Sequence, residues 1–410
     1  MRKPNSPSQA ELTLFDAGAQ APLPVAPLDD AQRLACLRLI RSENVGPVTF
    51  RELINHFGGA AAALEALPEL GRRTRRRRPL RLCPRPDAEA ELAAASRVGA
   101  VPIFTIEPGY PPALAHIPVP PPLLYAKGRT ELLMRPAVAI VGSRNASAAG
   151  VKLARQLASA LGFAGLLVVS GLARGIDGAA HEAALATGTV AVLAGGVDHV
   201  YPPEHAGLHE RIATDGCLVS EMPPGFQPRG QDFPRRNRII SGMSHGVVIV
   251  EAARRSGTLI TARTANEQGR LVFAVPGHPL DPRAEGTNAL LKQGALIVTQ
   301  PDDVLDAMRP LMPGPHDAHR FAEAPAPAPG AHLDATPAYV ATVAPSLPDD
   351  ALIAQVQGAL GPAPIDVDEI ARATGLPARA VRIAVLELDL AGLIEHHGGQ
   401  LVSLRTHPSA

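Results

Sequence analysis

Seven short apolar segments alternate with helical patterns between residues 137 and 298, and this alternation limits the chain to few folds. Wholly apolar strands separated by helices form a parallel sheet that helices cover on both faces. We therefore predict an α/β domain with an extended, Rossmann-like, doubly wound and mostly parallel sheet. The predicted strands are Ala137–Val141, Leu166–Val169, Val190–Leu193, Cys217–Ser220, Gly246–Val250, Leu271–Val275 and Ala295–Val298.

Shifts in composition divide the 410 residues into five parts. Residues 1–28 are rich in Pro, Ala and Ser and are predicted to be a disordered tail. Residues 29–100 have apolar residues at helical spacing with a glycine-containing break, which predicts a small N-terminal helical domain. The α/β domain with an N-terminal extension takes residues 101–309, an Ala/Pro-rich linker takes 310–348, and a C-terminal domain takes 349–410.

The C-terminal domain is predicted to be a winged helix, because three short helices precede a hairpin that turns at Gly398-Gly399. Winged helices bind proteins as well as DNA, so the ligand of this domain stays open. The N-terminal domain contains an arginine-rich loop, in which residues 71–81 include seven arginines. This loop is either a solvated linker or an auxiliary contact to phosphate groups.

Charge, cysteine content and hydropathy argue against several classes of protein, among them zinc-binding and membrane proteins. Lys plus Arg equals Asp plus Glu at 39 each, so the net charge indicates no partner. Cys36, Cys83 and Cys217 lie far apart without zinc-site spacing, which predicts reduced thiols and no metal. No apolar run has membrane length and the first residues lack a signal-peptide stretch, so we expect a cytoplasmic protein without membrane contact.

Glycine and arginine are concentrated in the loops that follow the predicted strands. In an open parallel sheet, ligands bind at the carboxyl ends of the strands. Gly142-Ser143-Arg144 follows the first strand, residues 171–175 follow the second, and residues 254–258 follow the fifth. Glycine lets backbone N–H groups approach an anion, helix N-termini add positive partial charge, and arginine adds bidentate contacts. Together these loops predict a phosphate-binding edge, although each glycine alone also fits a tight turn.

The helix predicted near residues 235–243 begins with a cluster of basic residues. Residues 231–241 read QDFPRRNRIIS, and the window 222–270 holds eight arginines and three acids although the whole chain is neutral. Phe233 is placed either to stack on a base or to fill the core. The crowding of arginines beside glycine loops favours a polymer of phosphates over a mononucleotide.

Catalytic residues are not evident in the sequence. Neither GxxxxGK[ST] nor GxGxxG occurs, which disfavours a P-loop NTPase and leaves dinucleotide binding weakly supported, so no cofactor is predicted. The acids Asp177, Asp198, Glu221 and Glu251 do not form a nucleophile–base pair with the scattered histidines. We therefore expect a protein that is not an enzyme.

Six segments of the chain closely resemble the DprA/Smf DNA-processing family. They read VAIVGSR (138–144), SGLARGIDGAAHEAAL (170–185), AVLAGGVDHVYPPEH (191–205), LVSEMPPG (218–225), FPRRNRIISGMS (233–244) and VIVEAARRSGTLITARTANEQGRLVFAVPG (248–277). The flanking regions are similar to the family's sterile-alpha-motif-like (SAM-like) domain and its winged helix. The resemblance implies a cytosolic bacterial protein that binds single-stranded DNA, loads RecA onto it during natural transformation, and forms homodimers through the α/β domain.

The resemblance also implies which residues hold DNA. Ser143, Arg144, Phe233 and residues 236–238 match family positions that contact the strand, while the loop 171–175 and residues 256–258 match the lining of the pocket. Gly230 stands where the family often has a basic residue, and Arg229 is the candidate replacement. The predicted DNA-binding residues are Gly142, Ser143, Arg144, Gly171, Arg174, Gly175, Arg229, Phe233, Arg235, Arg236, Asn237, Arg238, Ser256, Gly257 and Thr258.

Two other hypotheses stay open at this point. Phosphoribohydrolases that act on nucleoside monophosphates also use glycine loops, and Glu251 followed by Ser-Gly-Thr is similar to part of their site. Alternatively, the chain is an adaptor that binds proteins through its two flanking domains. The basic FPRRNR helix favours a DNA strand over a mononucleotide, and the DNA affinity of an Arg144→Ala variant separates DNA binding from the adaptor hypothesis.

Overall fold

The computed structural model describes residues 27–73, 80–311, 350–397 and 400–405. The predicted disordered tail, the predicted linker and the turn at Gly398-Gly399 therefore lie wholly or almost wholly outside the described residues. Most of the arginine-rich loop lies outside them as well.

A nine-stranded sheet forms the centre of the α/β domain. Its strands in chain order are β1 Val101–Phe104, β2 Leu123–Gly128, β3 Ala137–Val141, β4 Leu167–Ser170, β5 Thr189–Leu193, β6 Cys217–Ser220, β7 Gly246–Ile249, β8 Leu271–Ala274 and β9 Leu296–Ile297. In space they follow the order β1-β2-β6-β5-β4-β3-β7-β8-β9. Strands β3 to β9 run parallel, while β1 and β2 add an antiparallel edge. The predicted mostly parallel sheet is confirmed, and each of its seven predicted strands is found to within one residue at either end.

Helices cover both faces of this sheet, which explains why the sequences of its central strands are wholly apolar. Every residue of β3 to β7 is buried. The helices of this domain are α5 Pro112–Ala115, α6 Ala148–Phe163, α7 Ile176–Ala184, α8 Ala206–Asp215, α9 Asp232–Gly242, α10 Gly257–Glu267, α11 Glu285–Lys292 and α12 Pro301–Met308. Short 3-10 helices occupy Thr130–Met134, Pro203–His205 and Arg309–Leu311.

The order of the strands reverses at β3. The chain moves from β3 through β4 and β5 to β6 on one side, and then returns to place β7 on the other side of β3. The loops that leave β3 and β7 therefore diverge, and they open a crevice at the carboxyl edge of the sheet. Crevices of this kind are where doubly wound folds bind ligands.

Four helices form the N-terminal domain, α1 Asp30–Ile40, α2 Pro47–Phe57, α3 Ala60–Arg73 and α4 Arg85–Arg97. Asp29 caps the N-terminus of α1: its side chain accepts a hydrogen bond from the backbone N–H of Gln32 at 2.8 Å. Gly58 ends α2 with a φ of 74°, a conformation that residues with a Cβ rarely adopt. The predicted helical character of this domain is confirmed, whereas α4 was not predicted.

The C-terminal domain is a winged helix, as predicted. It contains α13 Asp350–Ala359, α14 Val367–Thr374 and α15 Ala378–Leu390, followed by the wing strands β11 Ile394–His396 and β12 Leu401–Leu404. A short strand that was not predicted, β10 Ile365–Asp366, pairs with β12 and completes a three-stranded sheet. Among the described residues, no helix is both long enough and apolar enough to cross a membrane.

Candidate nucleic-acid interface

An open cleft of about 880 Å³ lies where the order of the strands reverses. Gly142 and Ser143, directly after β3, form its floor. One wall is the start of α9 with Phe233 and Asn237, and the opposite wall is the loop from Ala253 to Thr258 that leads into α10. The cleft therefore joins two of the loops that the sequence predicted to bind phosphate, those after β3 and β7, with the start of the predicted basic helix.

Hydrogen bonds tie the floor of the cleft to the wall at α10. The Thr258 hydroxyl donates to the carbonyl oxygen of Gly142 at 3.0 Å. The Ser256 hydroxyl oxygen accepts from the backbone N–H of Thr258 at 3.2 Å and thereby caps α10. The first contact joins the loops after β3 and β7, and the second fixes the start of α10.

A cluster of three side chains stands at the wall formed by α9. The guanidinium carbon of Arg144 lies 5.5 Å from the ring centroid of Phe233. The ring of Tyr201 lies beside Phe233 with 5.2 Å between the centroids and an angle of 56° between the planes. Phe233 is half-buried and Tyr201 is 40% exposed, so both rings retain surface for a planar ligand. Tyr201 was missing from the predicted site, and only its position in a loop after β5 pointed to it.

Arg236 lines the cleft, but its guanidinium is part of the framework. Arg236 is buried, and its Nη1 donates to the carbonyl oxygens of Gly171, at 2.7 Å, and Val192. A Cβ on residue 171 would lie within 2.9 Å of that guanidinium, so Gly171 is needed for space. Burial lowers the pKa of Arg236 to about 10, with the charge of Asp177 acting in the opposite direction. Arg236 therefore joins the loop after β4 to strand β5, and phosphate contact by its guanidinium is not supported by this geometry.

Asp177 completes the framework beneath the cleft. Its carboxylate accepts hydrogen bonds from the backbone N–H groups of Gly171, at 3.1 Å, and Ala173, at 3.4 Å. Burial raises the pKa of Asp177, while the charge of Arg236 opposes that change. Among the described residues that line the cleft, Asp177 is the only acid; it is buried, and both of these hydrogen bonds go to its Oδ2. The carboxylate is therefore a structural group, as the sequence suggested.

Six of the predicted site residues do not line the cleft: Arg229, which only flanks it, and five others. Arg174 pairs with Glu204 at 3.0 Å, and Arg235 pairs with Glu221 at 3.2 Å. Arg238 is held by Glu221 at 2.7 Å and by the carbonyl oxygen of Val119 at 2.8 Å. The other two are glycines in the loop after β4: Gly171 beneath Arg236, and Gly175, whose φ of 74° brings its backbone against that of Ser143. These residues shape the surroundings of the cleft, and a direct contact with DNA stays a prediction for each.

Four arginines remain uncompensated around the cleft. Arg144, Arg229, Arg254 and Arg255 are exposed and form no ion pair with any residue that the structure describes. Arg255 lines the wall opposite Phe233, while Arg229 is flanked by two lining residues, Pro228 and Gly230. Arg255 was not among the predicted site residues, although its loop was recognised. The free positive charge of the site therefore sits on both walls.

Glu251 is engaged in a structural contact at the start of α6. Its carboxylate accepts hydrogen bonds from the backbone N–H of Ser147 at 3.0 Å and from the Ser147 hydroxyl at 2.5 Å. A Cβ on Gly150 would come within 2.6 Å of the same carboxylate, so the group is closely packed. The protein's own acid thus occupies the N-terminus of α6. A phosphate contact at this helix end therefore stays a prediction, made beside a carboxylate that is already there.

Three sequence models of one family match this chain. The model described as DNA recombination-mediator protein A matches residues 102–309, the DprA-like N-terminal HHH domain matches residues 30–94, and the DprA winged helix domain matches residues 324–400. The N-terminal helices, which were expected to be SAM-like, thus match a domain that this family's models describe as HHH.

Curated relatives and a solved structure agree with these matches. Protein Smf of Escherichia coli (strain K12) is 40% identical over 299 residues, which cover 72% of this chain and 75% of that protein. The DNA processing protein DprA of Streptococcus pneumoniae is 46% identical over 198 residues, which cover 48% of this chain and 70% of that protein. An X-ray structure of DprA from Streptococcus pneumoniae matches with a TM-score of 0.57 and 34% identity, covering 68% of this chain and 98% of that chain. The chain belongs to the DprA/Smf family of DNA-processing proteins.

Proposed function

We propose that the cleft between β3 and β7 binds single-stranded DNA and that the chain acts on DNA by binding and not by catalysis. The observation that carries this proposal is the combination of uncompensated arginines on both walls with two aromatic rings, half-buried Phe233 and exposed Tyr201, at the α9 wall. Arg144 and Arg255 offer guanidinium groups to phosphates, and Phe233 and Tyr201 offer ring faces to bases. The only acid that lines the described part of the cleft already accepts hydrogen bonds from backbone N–H groups.

The spread of charge favours a polymer over a single nucleotide. One nucleotide monophosphate has one phosphate to neutralise, whereas Arg144, Arg229 and Arg255 stand at separate places on the floor and both walls. A chain of phosphates running along the cleft satisfies all three. Bases stack on protein rings only after they leave the duplex stack, so the aromatic pair favours a single strand over a duplex.

Fluorescence anisotropy with short oligonucleotides tests this proposal. We expect tighter binding to single strands than to duplex, with affinity that falls steeply as salt rises because counterions are released from the phosphates. Arg144→Ala should cost about 1–3 kcal/mol, because it removes a hydrogen-bond donor from a phosphate. Arg155→Ala is the matched control, because this exposed arginine of α6 is paired with Glu182 and does not line the cleft. Equal affinity for the two forms of DNA would refute the proposal, and an unchanged affinity of Arg144→Ala would favour the adaptor hypothesis.

The enzymatic alternative rests on Glu251. The carboxylate of Glu251 caps Ser147 and packs against Gly150, which leaves it poorly placed to act on a ligand in the cleft. The alternative is tested by incubating the protein with nucleoside monophosphates and measuring free base by chromatography. Release of base that is abolished in Glu251→Gln would favour the phosphoribohydrolase hypothesis over ours.

We further propose that the bound strand is passed to RecA during natural transformation, in the cytoplasm. The support is the resemblance to the DprA/Smf family and the description of its central domain as a DNA recombination mediator. A direct test measures the lag in RecA filament formation on single-stranded DNA coated with single-strand-binding protein. The wild type should shorten the lag, and Arg144→Ala should lose most of this effect.

The proposed homodimer through the α/β domain has a candidate surface at the open edge of the sheet. Strand β9 is the last strand at this edge, and its residues Leu296 and Ile297 are 41% and 56% exposed. A second copy that pairs along β9 would bury both residues and satisfy the unpaired edge. Light scattering after size-exclusion chromatography tests this, because Ile297→Lys should convert a dimer to a monomer, whereas Leu280→Lys, at an exposed leucine of a nearby loop, should not.

A further inference from the structure

Helix α15 of the winged helix is buried on two opposite faces. One face belongs to the core of its own domain, where Val381, Ala384, Val385 and Leu388 pack with the other helices and the wing strands. Three further residues of α15, on the opposite side of the helix, are buried too. Ile383 is 7% exposed, Leu386 is 4% exposed and Leu390 is fully buried.

The second face packs against the N-terminal domain. Leu386 and Leu390 belong to the same buried cluster as Phe50 and Leu53 of α2. They are four residues apart, so they lie one turn apart on one side of the helix. An aliphatic stripe of this kind costs free energy when exposed to water. The sequence of α15 is therefore suited to a helix that is covered on this side.

Polar contacts fix how the two domains meet. The side-chain amide of Asn44 donates to the carbonyl oxygen of Leu390 at 2.9 Å, near the end of the helix where backbone carbonyls lack helical partners. The Thr49 hydroxyl donates to the carboxylate of Asp389 at 2.5 Å, and that carboxylate also pairs with His396 of the wing at 3.2 Å. Thr49 is 2% exposed, so this contact is inside the interface.

The basic residue in the middle of α15 also faces the N-terminal domain. Arg382 lines a small cavity of about 350 Å³ together with Arg51 and Glu52 of α2. In winged helices that read duplex DNA, the corresponding helix enters the major groove and presents donors and acceptors to base edges. Here Arg379 and Arg382 are exposed, and the part of the outward face that carries Leu386 and Leu390 packs against α2.

We propose that the outward face of α15 is a protein-docking surface whose partner is the N-terminal helical domain of the same chain, and that it does not read duplex DNA. The winged helix is then a structural partner of the N-terminal domain, joined to it through Leu386, Leu390 and the contacts of Asn44 and Thr49. This inference is independent of what the cleft in the α/β domain binds.

Cleavage between the two domains provides the test. A site for a specific protease is placed within residues 312–349 of the full chain, the protein is cleaved, and size-exclusion chromatography reports whether the C-terminal fragment stays with the remainder. Docking predicts that the wild-type fragment co-elutes at low concentration and that Leu386→Asp releases it. Ala373→Asp is the matched control, because it makes the same change of charge at an exposed residue of α14 and should leave the fragment attached. Separation of the wild-type fragment overturns the proposal.

A second variant removes the contact from the other side of the interface. Thr49→Val deletes the hydroxyl that donates to Asp389 while it leaves the winged-helix sequence unchanged, so a folding defect in that domain cannot explain its effect. We expect at least a fivefold rise in the dissociation constant of the cleaved fragment. No change in Thr49→Val would overturn the proposed interface, as would retention that appears only at concentrations where two chains associate.

Duplex binding gives an independent readout. The double variant Arg379→Ala/Arg382→Ala removes two arginines of α15, the residues that duplex reading would require most. The proposal predicts that the affinity of the intact protein for duplex DNA stays within twofold of the wild type. A loss of tenfold or more, with the fragment still docked after cleavage, would show that α15 contacts duplex DNA and would overturn the proposal.

Discussion

The guanidinium carbon of Arg144 lies 5.5 Å from the centroid of the Phe233 ring, although the two residues are 89 positions apart in the chain. A cation over an aromatic face at this distance is attracted by about 0.5–1 kcal/mol at an exposed site. Tyr201 supports the ring of Phe233 from the loop after β5. The exposed arginine is therefore restricted in orientation before DNA arrives, which reduces the entropy that binding must remove.

This relationship predicts that Phe233 acts on DNA affinity in two ways. Phe233→Ala should lose about 1–3 kcal/mol of stacking with one base. It should also weaken the contact made by Arg144, so the loss in Phe233→Ala/Arg144→Ala should be smaller than the sum of the two single losses by at least about 0.5 kcal/mol. Anisotropy with a short single strand measures all four proteins of the cycle.

The dependence on salt separates the two contributions. Arg144→Ala should lower the slope of log affinity against log salt by about 0.7, the value for one phosphate contact on a single strand. Phe233→Leu keeps an apolar side chain without a ring, and it should lose affinity with little change in slope. If Phe233→Leu bound single-stranded DNA as tightly as the wild type, the proposed stacking of a base on this ring would be refuted.

A second prediction compares two adjacent arginines. Arg255 lines the cleft, whereas its exposed neighbour Arg254 does not, and neither forms an ion pair within the described residues. Arg255→Ala should therefore cost about 1–3 kcal/mol of single-strand affinity and lower the salt slope by about 0.7. Arg254→Ala removes the same charge one residue away and should change both quantities much less. Equal effects of the two variants would indicate a diffuse basic surface in place of a defined wall.

A third prediction concerns Arg236, which the sequence assigned to DNA and the structure places beneath the cleft. Arg236→Lys keeps the charge but removes the guanidinium, whose Nη1 donates to two carbonyl oxygens. We expect a loss of about 1–3 kcal/mol in the free energy of unfolding, because buried carbonyls lose their donors. Arg235→Lys, at an exposed residue, should cost less than about 0.5 kcal/mol.

Chemical denaturation measures both variants, and DNA binding distinguishes the two roles of Arg236. If its guanidinium acts through the loops, Arg236→Lys lowers affinity without changing the salt slope. A normal free energy of unfolding together with a lower salt slope would instead place this guanidinium on a phosphate.

The sequence predicted the strands well because burial on both faces leaves little choice of residue. β3 and β6 have the predicted bounds, since every position in them faces a covering helix. Helix α4 was missed because it buries chiefly small residues, Ala88 and Ala95, which give no amphipathic pattern. Its stability comes from packing in the N-terminal domain, and packing is not visible in a local window.

The site was predicted less completely, because the role of an arginine depends on which side of its helix it occupies. Arg235 and Arg236 are neighbours with the same side chain, yet a rotation of about 100° along the helix turns one to solvent and the other into the core. Tyr201 lies beside Phe233 because the sheet brings the loop after β5 close to α9, although the two residues are 32 positions apart in sequence. Such relations are set by tertiary structure, so motif spacing alone could not identify them.

A last prediction concerns the dependence of stability on pH, through the fully buried His181. Its Nδ1 lies 2.8 Å from the Thr189 hydroxyl oxygen, which itself donates to the carbonyl oxygen of Val168, so the neutral ring carries its hydrogen on Nδ1. Burial lowers the pKa of His181 to about 3, because a charge on the unpartnered Nε2 would be buried. The unfolded chain binds this proton near pH 6.5, so between about pH 6.5 and about pH 3 unfolding takes up a proton and stability falls as the pH falls.

From about pH 7 to about pH 5, His181 should therefore remove about 2 kcal/mol from the free energy of unfolding. His181→Asn retains a donor near Thr189 and cannot be protonated, so this part of the pH dependence should disappear. His116→Asn is the control, because this exposed histidine should leave the dependence unchanged. Urea unfolding at several pH values measures all three proteins. Identical pH profiles for the wild type and His181→Asn would mean that His181 is protonated in the folded protein, in conflict with its burial.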